Sequence, residues 1–299
     1  MASDGLFIIG SDNFDRALNL GLYPALAYLV MARGTQRNNV TTSWSAKAVK
    51  SSIGVRWPKC QSAIQVLIES GLASLVPSKV KSCPRYRLAP IEGDRIFLPN
   101  TLVDGSKDCT PPLRRIRESQ SIDVLKLLIS LYQFQNLADE HGIKWEWFHR
   151  PADVEYVMDL GQFKVWIALP KTVYRAYWDS DLARPWRRNT ECFWDAIKTL
   201  DAMGLIERAW YVADADGELL YPFTAKVESA ISDFITARDI PSSPGWSSHL
   251  QFLTLRHQSD PQFIGLYRTT FRTPHSSVTG QWLQEREQME ADILRRVNL

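Results

Sequence analysis

The sequence has few of the features that mark membrane, secreted or metal-binding proteins. It contains no run of 18 or more apolar residues, so we expect no membrane-spanning helix. Acidic Asp4 stands where a secretory signal would be basic, which predicts a cytoplasmic protein. The scattered cysteines form no C-x-x-C pair and have no histidine at ligand spacing, which argues against a zinc site or a disulfide framework. They are Cys60, Cys83, Cys109 and Cys192.

Motifs of catalysis are missing as well. The chain has no P-loop, no dinucleotide-binding G-x-G-x-x-G, no H-E-x-x-H and no G-x-S-x-G. Asp214 and Asp216 could imitate a metal-binding pair of carboxylates, but they adjoin Gly217 at the tip of a predicted hairpin, where Asp is favoured for turn geometry. We therefore expect no enzyme, no catalytic residue, no metal and no cofactor.

Charge is distributed unevenly along the 299 residues, a length typical of two domains. Residues 33–90 contain ten basic side chains and one acid, Glu69, whereas residues 121–223 contain eleven basic and sixteen acidic ones. The overall net charge of +2 hides this asymmetry. A basic region beside an acidic one indicates one nucleic-acid surface and one surface with another role.

Apolar spacing in the basic region predicts three helices followed by a hairpin. Ser45 is a candidate N-cap for the second helix, Gly54 supplies the turn, and Gly71 ends the third helix in the usual C′ position. We expect the helices at 21–33, 46–52 and 58–70 and the strands at 72–76 and 85–88.

The segment IGVRWPKCQSAIQVLIESGLASLVP (residues 53–77) resembles the winged helix-turn-helix superfamily. The shared features are the short turn, the helix and the Leu-x-x-x-Gly-Leu run before the hairpin. The resemblance covers residues 20–89 and implies a DNA-binding domain over residues 1–95, with the third helix in the major groove and the hairpin near phosphates. The DNA-binding positions it implies are Lys47, Lys50, Arg56, Trp57, Lys59, Gln61, Ser62, Gln65, Lys79, Lys81, Arg85 and Arg87.

A weak internal repeat predicts a second copy at an offset of 133 residues. Ala63, Ile64, Leu67, Gly71 and Leu72 recur as Ala196, Ile197, Leu200, Gly204 and Leu205. We therefore expect an α+β, mainly α protein of tandem winged helix-turn-helix domains with a C-terminal α/β extension. Its parts are the first domain at 1–95, a linker at 96–120, a second winged-helix domain with an insertion at 121–223, and an extension at 224–299 that packs on the second domain.

The second copy has a different surface. Cys192, Trp194 and Asp195 stand where the first copy has Lys59, Gln61 and Ser62, and a carboxylate that faces phosphates lowers affinity. Residues 121–299 are therefore expected to bind a second copy of the chain or another protein, with contact between the second domain and DNA as the alternative. Secondary DNA contacts are expected at Arg114, Arg115, Arg184, Arg187 and Arg188.

Three functions fit these patterns. The first is a prokaryotic, phage or plasmid transcription regulator that binds a specific double-stranded DNA sequence, as a dimer. The second is a plasmid or phage replication initiator, because tandem winged helices of this length are similar to that architecture. The third is a winged-helix interaction subunit of a larger complex, in which the basic surface is only solvated.

Overall fold

The computed structural model describes residues 5–36, 38–77, 84–106, 109–171, 175–238, 249–272 and 277–297. The chain divides into two compact units. The first comprises residues 1–134, 188–206 and 269–276, and the second comprises residues 135–187, 207–268 and 277–299. Segments from the C-terminal half of the sequence thus belong to the N-terminal unit.

The first unit is built around one helix that is apolar on every side. Its elements are β1 (Leu6–Gly10), α1 (Ser11–Asn19), α2 (Leu22–Arg33), β2 (Thr41–Thr42), α3 (Ala46–Ile53), α4 (Trp57–Glu69), β3 (Ala73–Val76), β4 (Arg85–Leu88), β5 (Arg95–Pro99), α5 (Thr101–Asp104), α6 (Pro112–Ser119), α7 (Ile122–Phe134) and α8 (Thr190–Ala202). Every residue from Pro24 to Ala32 in α2 is buried, and α2 packs against α1, α3 and α4. A helix that is hydrophobic all round is stable only when neighbours enclose it.

Glycines position α3, α4 and the small sheet that follows. Gly54 ends α3 in the left-handed conformation with φ of 67°, and Gly71 follows α4 with φ of 78°. Both values favour glycine because a Cβ atom is strained there. The antiparallel sheet has the order β2–β4–β3, and Ser74 pairs with Arg87. The three helices and two strands expected in residues 21–88 are each confirmed to within one residue.

The segment expected to be a linker, residues 96–120, carries secondary structure. Strand β5 pairs antiparallel with β1, and α6 contacts α2, α3 and α7. Leu113 and Ile116 of α6 are fully buried. Helices α7 and α8 pack against each other in the same unit.

The second unit is a curled antiparallel sheet covered by helices. Its elements are β6 (Phe148–Leu160), β7 (Phe163–Pro170), β8 (Arg175–Ala176), β9 (Ile206–Ala213), β10 (Leu219–Pro222), α9 (Ala225–Thr236), β11 (Leu250–Leu255), β12 (Gln262–Thr269) and α10 (Ser277–Val297). The seven-stranded sheet has the order β10–β9–β12–β6–β7–β11, with β8 on β6. Helix α9 contacts β11, and α10 contacts β10 and α9. Its core includes Trp166, Phe252 and Phe263.

The expected fold class, a mainly α protein of tandem winged helix-turn-helix domains with an α/β extension, is wrong. Strands account for 28% of the structure against 43% for helices, and most of the strands belong to one large sheet. The hairpin β9–β10 pairs into that sheet through β12 instead of forming a wing beside α8.

The physical reason for the error lies in residues 144–183, the part of the expected second domain that the sequence pattern assigns to the insertion and that is rich in Trp and Tyr. It forms β6 and β7, which turn at Gly161 with φ of 63° and pair over almost their whole length. Phe163, Val165 and Ile167 are buried in β7, and each such side chain stabilises the fold by roughly 1.5–3 kcal/mol. The repeat at α4 and α8 reflects only a shared helix end, in which a glycine precedes a strand.

Long apolar helices were also sought across the parts of the chain that the structure describes. None of these helices has the length and apolar character needed to span a bilayer.

Candidate nucleic-acid interface

Helix α4 has one buried side and one polar side. Cys60, Ala63, Ile64 and Leu67 are buried in the first unit, at the three- and four-residue spacing of a helix. The opposite side exposes Trp57, Gln61, Ser62 and Gln65. Trp57, Gln61 and Gln65 are four residues apart and therefore lie in one row along the helix, with Ser62 beside it. The amide and hydroxyl groups of this polar row can both donate and accept hydrogen bonds.

Lys59 is exposed, but it does not share the polar row. Its Nζ lies 3.5 Å from the centre of the Tyr23 ring of α2. Hydrogen bonding from Lys59 is the main cause of the lowered pKa of Tyr23. The lysine therefore belongs to the flank of α4 that faces α2, and not to the row that was expected to enter a groove.

Helix α3 presents two lysines beside α4. Ala46, Val49 and Ile53 are buried, whereas Lys47 and Lys50 are exposed. Ser45 is at the N-cap position, as expected, but its side chain makes no capping hydrogen bond. Lys47 lies away from the three buried residues, as the helical period requires, whereas Lys50 lies at the edge of the buried side.

The small sheet adds two arginines. Arg85 and Arg87 of β4 are exposed and alternate with Tyr86 and Leu88, as the two-residue period of a strand requires. Lys79 and Lys81, between β3 and β4 in the sequence, lie outside the described residues.

The cations of this region are not neutralised by the protein's own acids. Within the described ranges, no ion pair involves Lys47, Lys50, Arg56, Lys59, Arg85 or Arg87, all of which are exposed. Arg33 differs, because its Nη2 lies 2.7 Å from Oδ2 of Asp104. Glu69, the one acid of residues 33–90, accepts a hydrogen bond from Nε2 of Gln65 at 2.9 Å. These six exposed cations without an ion pair, carried by α3, the start of α4 and β4, are together named the basic face below.

No protein-family model, curated protein or solved structure matches this chain. The assignment of the basic face therefore depends on its own residues. These supply what nucleic acid requires, namely exposed positive charge for phosphates beside a row of hydrogen-bonding side chains.

The arginines expected to make secondary contacts have different environments. Arg114 and Arg188 are exposed, and Arg114 lies 3.6 Å from Glu118. Arg115 is engaged inside the first unit, since its Nη1 donates to the carbonyl of Met203 and its remaining guanidinium nitrogens are buried. We therefore exclude Arg115 from the basic face.

Arg184 and Arg187, in the second unit, form ion pairs with neighbouring aspartates. The distances are 3.0 Å from Arg184 to Asp181 and 2.9 Å from Arg187 to Asp179. Their charge is thus partly neutralised, unlike that of the basic face.

The surface of α8 is acidic where that of α4 is not. Glu191 and Asp195 are exposed, and Lys198 pairs with Asp195 at 3.3 Å. Cys192 and Trp194 are half-buried. This surface repels phosphates, so we do not include α8 in the candidate interface.

One functional residue escaped the sequence analysis. Arg117 of α6 donates from Nε to the carbonyl of Ile53 at 3.0 Å and thereby lies at the α3–α4 turn. The signal in the sequence is the helical spacing of the apolar residues Leu113 and Ile116: Arg117, four residues after Leu113, lies next to that apolar side of α6 and is half-buried, whereas Arg114 lies away from it and is exposed. The proximity of Arg117 to a turn 64 residues earlier depends on tertiary packing.

Proposed function

We propose that this protein binds double-stranded DNA in a sequence-specific manner through the basic face and the polar row of α4. The observation that carries the proposal is the set of six exposed cations that make no ion pair within the described residues. A surface that only needs to be soluble mixes both signs of charge, and this one does not.

The arrangement of elements supports separate roles for the polar row of α4 and for the cations on α3 and β4. The exposed side of α4 offers Gln61, Ser62 and Gln65, and glutamine can form paired hydrogen bonds with adenine in the major groove. Lys47 and Lys50 on α3 and the arginines on β4 flank that helix in sequence and structure. Cations in such flanking positions bind phosphates, which sets the register of the helix on the duplex but reads no sequence.

A transcription regulator of a prokaryote, phage or plasmid, acting in the cytoplasm, is the role that fits best. Binding of a second copy or another protein through residues 121–299 remains a prediction. The replication-initiator alternative depended on tandem winged helices, so we do not propose it. The interaction-subunit alternative requires that the basic face is only solvated and binds no DNA, and the following experiment tests that requirement.

The first experiment measures affinity for a fluorescent random-sequence duplex as a function of salt. The pair of substitutions Arg85→Gln and Arg87→Gln removes two charges from the basic face, and we expect the slope of log K against log salt to fall by about 2. Arg95→Gln is the matched control, because Arg95 is an exposed arginine of β5 in the same unit. No binding by the wild-type chain at low salt, or equal slopes for all variants, would refute the proposal.

A second experiment tests sequence specificity. Selection from a random pool identifies a preferred site, and Gln61→Ala or Gln65→Ala is expected to relax the preference at one or two base pairs. The expected loss of discrimination is about 1–3 kcal/mol for each paired contact. Unchanged base preferences in both variants would show that α4 does not read the DNA sequence.

A further inference from the structure

A cavity of about 360 Å³ opens in the first unit beside the start of α4. Its wall includes Tyr23 of α2, Gly54 of the α3–α4 turn, Arg56 and Lys59 at the start of α4, and Arg117 of α6. Three of these side chains are cations, and none of the described residues in the wall is acidic. Glu118, half-exposed and outside the wall, places its Oε1 2.9 Å from Nη2 of Arg117.

Like charges around one cavity repel each other, so the cluster is stable only if something offsets the repulsion. One exposed carboxylate, that of Glu118, is shared between Arg117 and Arg114, which lies 3.6 Å away. The wall therefore retains excess positive charge. The N-terminal end of α4, a helix of 13 residues, adds the positive end of its dipole on the same side.

Two of the three cations, Arg117 and Lys59, are held in place before any ligand arrives. Arg117 is fixed by its hydrogen bond to the carbonyl of Ile53. Lys59 is held over the ring of Tyr23, whose hydroxyl donates to Oε1 of Gln120 at 2.9 Å. Side chains that are already ordered lose less entropy when they bind a ligand.

Gly54 allows the arginines of α6 to come close to the turn. A Cβ atom at this position would lie 3.0 Å from Nε of Arg114 and 3.4 Å from Nη2 of Arg117. Its φ of 67° also favours glycine. The left-handed backbone at Gly54 and the close approach of the α6 arginines to it together form one wall of the cavity.

We propose that this cavity binds a phosphate group, held by Arg56, Lys59 and Arg117. Guanidinium groups suit this ligand because their planar donors match two phosphate oxygens at once. One source is a backbone phosphate of bound DNA, and this version rests on the proposed function. The other source is a free phosphorylated compound, which would bind without DNA. Both sources use the same chemistry.

The test compares two substitutions, each in the full-length chain. Arg117→Gln removes a cation that comes from outside α3, α4 and the small sheet. Arg56→Gln removes one whose side chain makes no ion pair in the described part of the chain, so it keeps the test valid if Arg117→Gln unfolds. Arg95→Gln again serves as the control for loss of one surface charge, and circular dichroism checks folding.

In the DNA arm, we expect each cavity variant to lower the salt slope by about 1, while Arg95→Gln leaves it unchanged. In the second arm, calorimetry without DNA measures binding of inorganic phosphate and pyrophosphate, and we expect at least a tenfold weaker affinity in the cavity variants. A smaller salt slope in the first arm, or a weaker affinity for phosphate or pyrophosphate in the second, supports the phosphate site. The arm that responds shows whether the phosphate comes from DNA or from a free compound.

Two results separate the failures. DNA binding by the wild type with unchanged slopes in both cavity variants, and no pyrophosphate binding, overturns the cavity proposal while the proposed function stands. If the wild type binds pyrophosphate but not DNA, and the cavity variants lose pyrophosphate binding, the cavity proposal is supported and the proposed function is overturned. If the wild type binds none of the three probes, both are overturned.

Discussion

Arg33 and Asp104 form an ion pair of 2.7 Å between Nη2 and Oδ2, with side chains only 18% and 19% exposed. The guanidinium also lies 5.4 Å from the centre of the Trp44 ring. This arginine is thus part of the packing of the first unit, whereas Arg87, from the same basic stretch, is exposed and makes no ion pair in the described residues. The two arginines should therefore respond differently to substitution.

We predict that Arg33→Ala lowers the free energy of unfolding by about 1.5–3 kcal/mol, because it leaves the Asp104 carboxylate without its partner. Arg87→Ala should change that free energy by less than about 0.5 kcal/mol but weaken DNA binding. Urea denaturation and fluorescence anisotropy measure the two effects. Equal stability losses in both variants would contradict the distinction.

Substitution of Glu69 is predicted to strengthen DNA binding, whereas Arg87→Ala is predicted to weaken it. Glu69→Gln removes the one acid of residues 33–90, which lies at the C-terminal end of α4. We expect tighter DNA binding at low salt, with a difference that shrinks as salt screens the charge. Stability should rise slightly, because a carboxylate is unfavourable near a helix C-terminus. Weaker binding by this variant at low salt would show that α4 lies away from DNA.

In the second unit, Arg268 is only 3% exposed, and its Nε lies 2.6 Å from Oε1 of Glu207. Glu207→Ala removes that carboxylate from a buried cation, and we predict a loss of about 3–5 kcal/mol in the free energy of unfolding. Adding Arg268→Met should restore part of the loss. Chemical denaturation of the two variants provides the comparison, and additive losses would contradict the coupling.

His141 predicts a dependence of stability on pH. It is 6% exposed, and burial is the main cause of its lowered pKa, with Arg268 and Arg286 lowering it further and Glu285 opposing them. Below about pH 6.5 the unfolded chain binds a proton at this histidine more readily than the folded chain does, so stability falls as pH falls. Above that pH the histidine is neutral in both states and contributes no pH dependence.

His141→Asn tests this effect, because asparagine tolerates the positive φ of 55° at this position. The variant should lose less stability than the wild type when the pH is lowered from 7.5 to 5.5, as measured by urea denaturation. His257→Asn, at an exposed position, is the control and should follow the wild type. Parallel curves for all three chains would exclude His141 as the source.

Sequence patterns were sufficient for local structure between residues 21 and 88 of the first unit. The buried residues Val49 and Ile53 of α3 and Ile64 and Leu67 of α4 follow the helical period, and each helix is found within one residue of its expected position. Exposure of Lys47 follows directly from that period. The orientation of Lys59 does not, because the ring of Tyr23 that it contacts comes from another helix.

Sequence patterns did not predict which strands pair with each other. The hairpin after α8 was expected to form a wing, yet β9 pairs with β12, whose residues lie about sixty positions later. Alternation of apolar and polar residues predicts that a strand exists but does not specify its neighbour. The similarity between Gly71 and Gly204 therefore led to the wrong fold class.

By itself, the amino-acid sequence determined the positions of the three helices between residues 21 and 70, the surplus of positive charge in residues 33–90 and the polar character of one side of α4, since these depend on neighbours within a few residues. Only the tertiary structure decided that the later strands form one large sheet and that Arg117 joins Arg56 and Lys59 around a cavity. Such contacts between distant segments depend on which arrangement buries the most apolar surface, and that is a property of the whole chain.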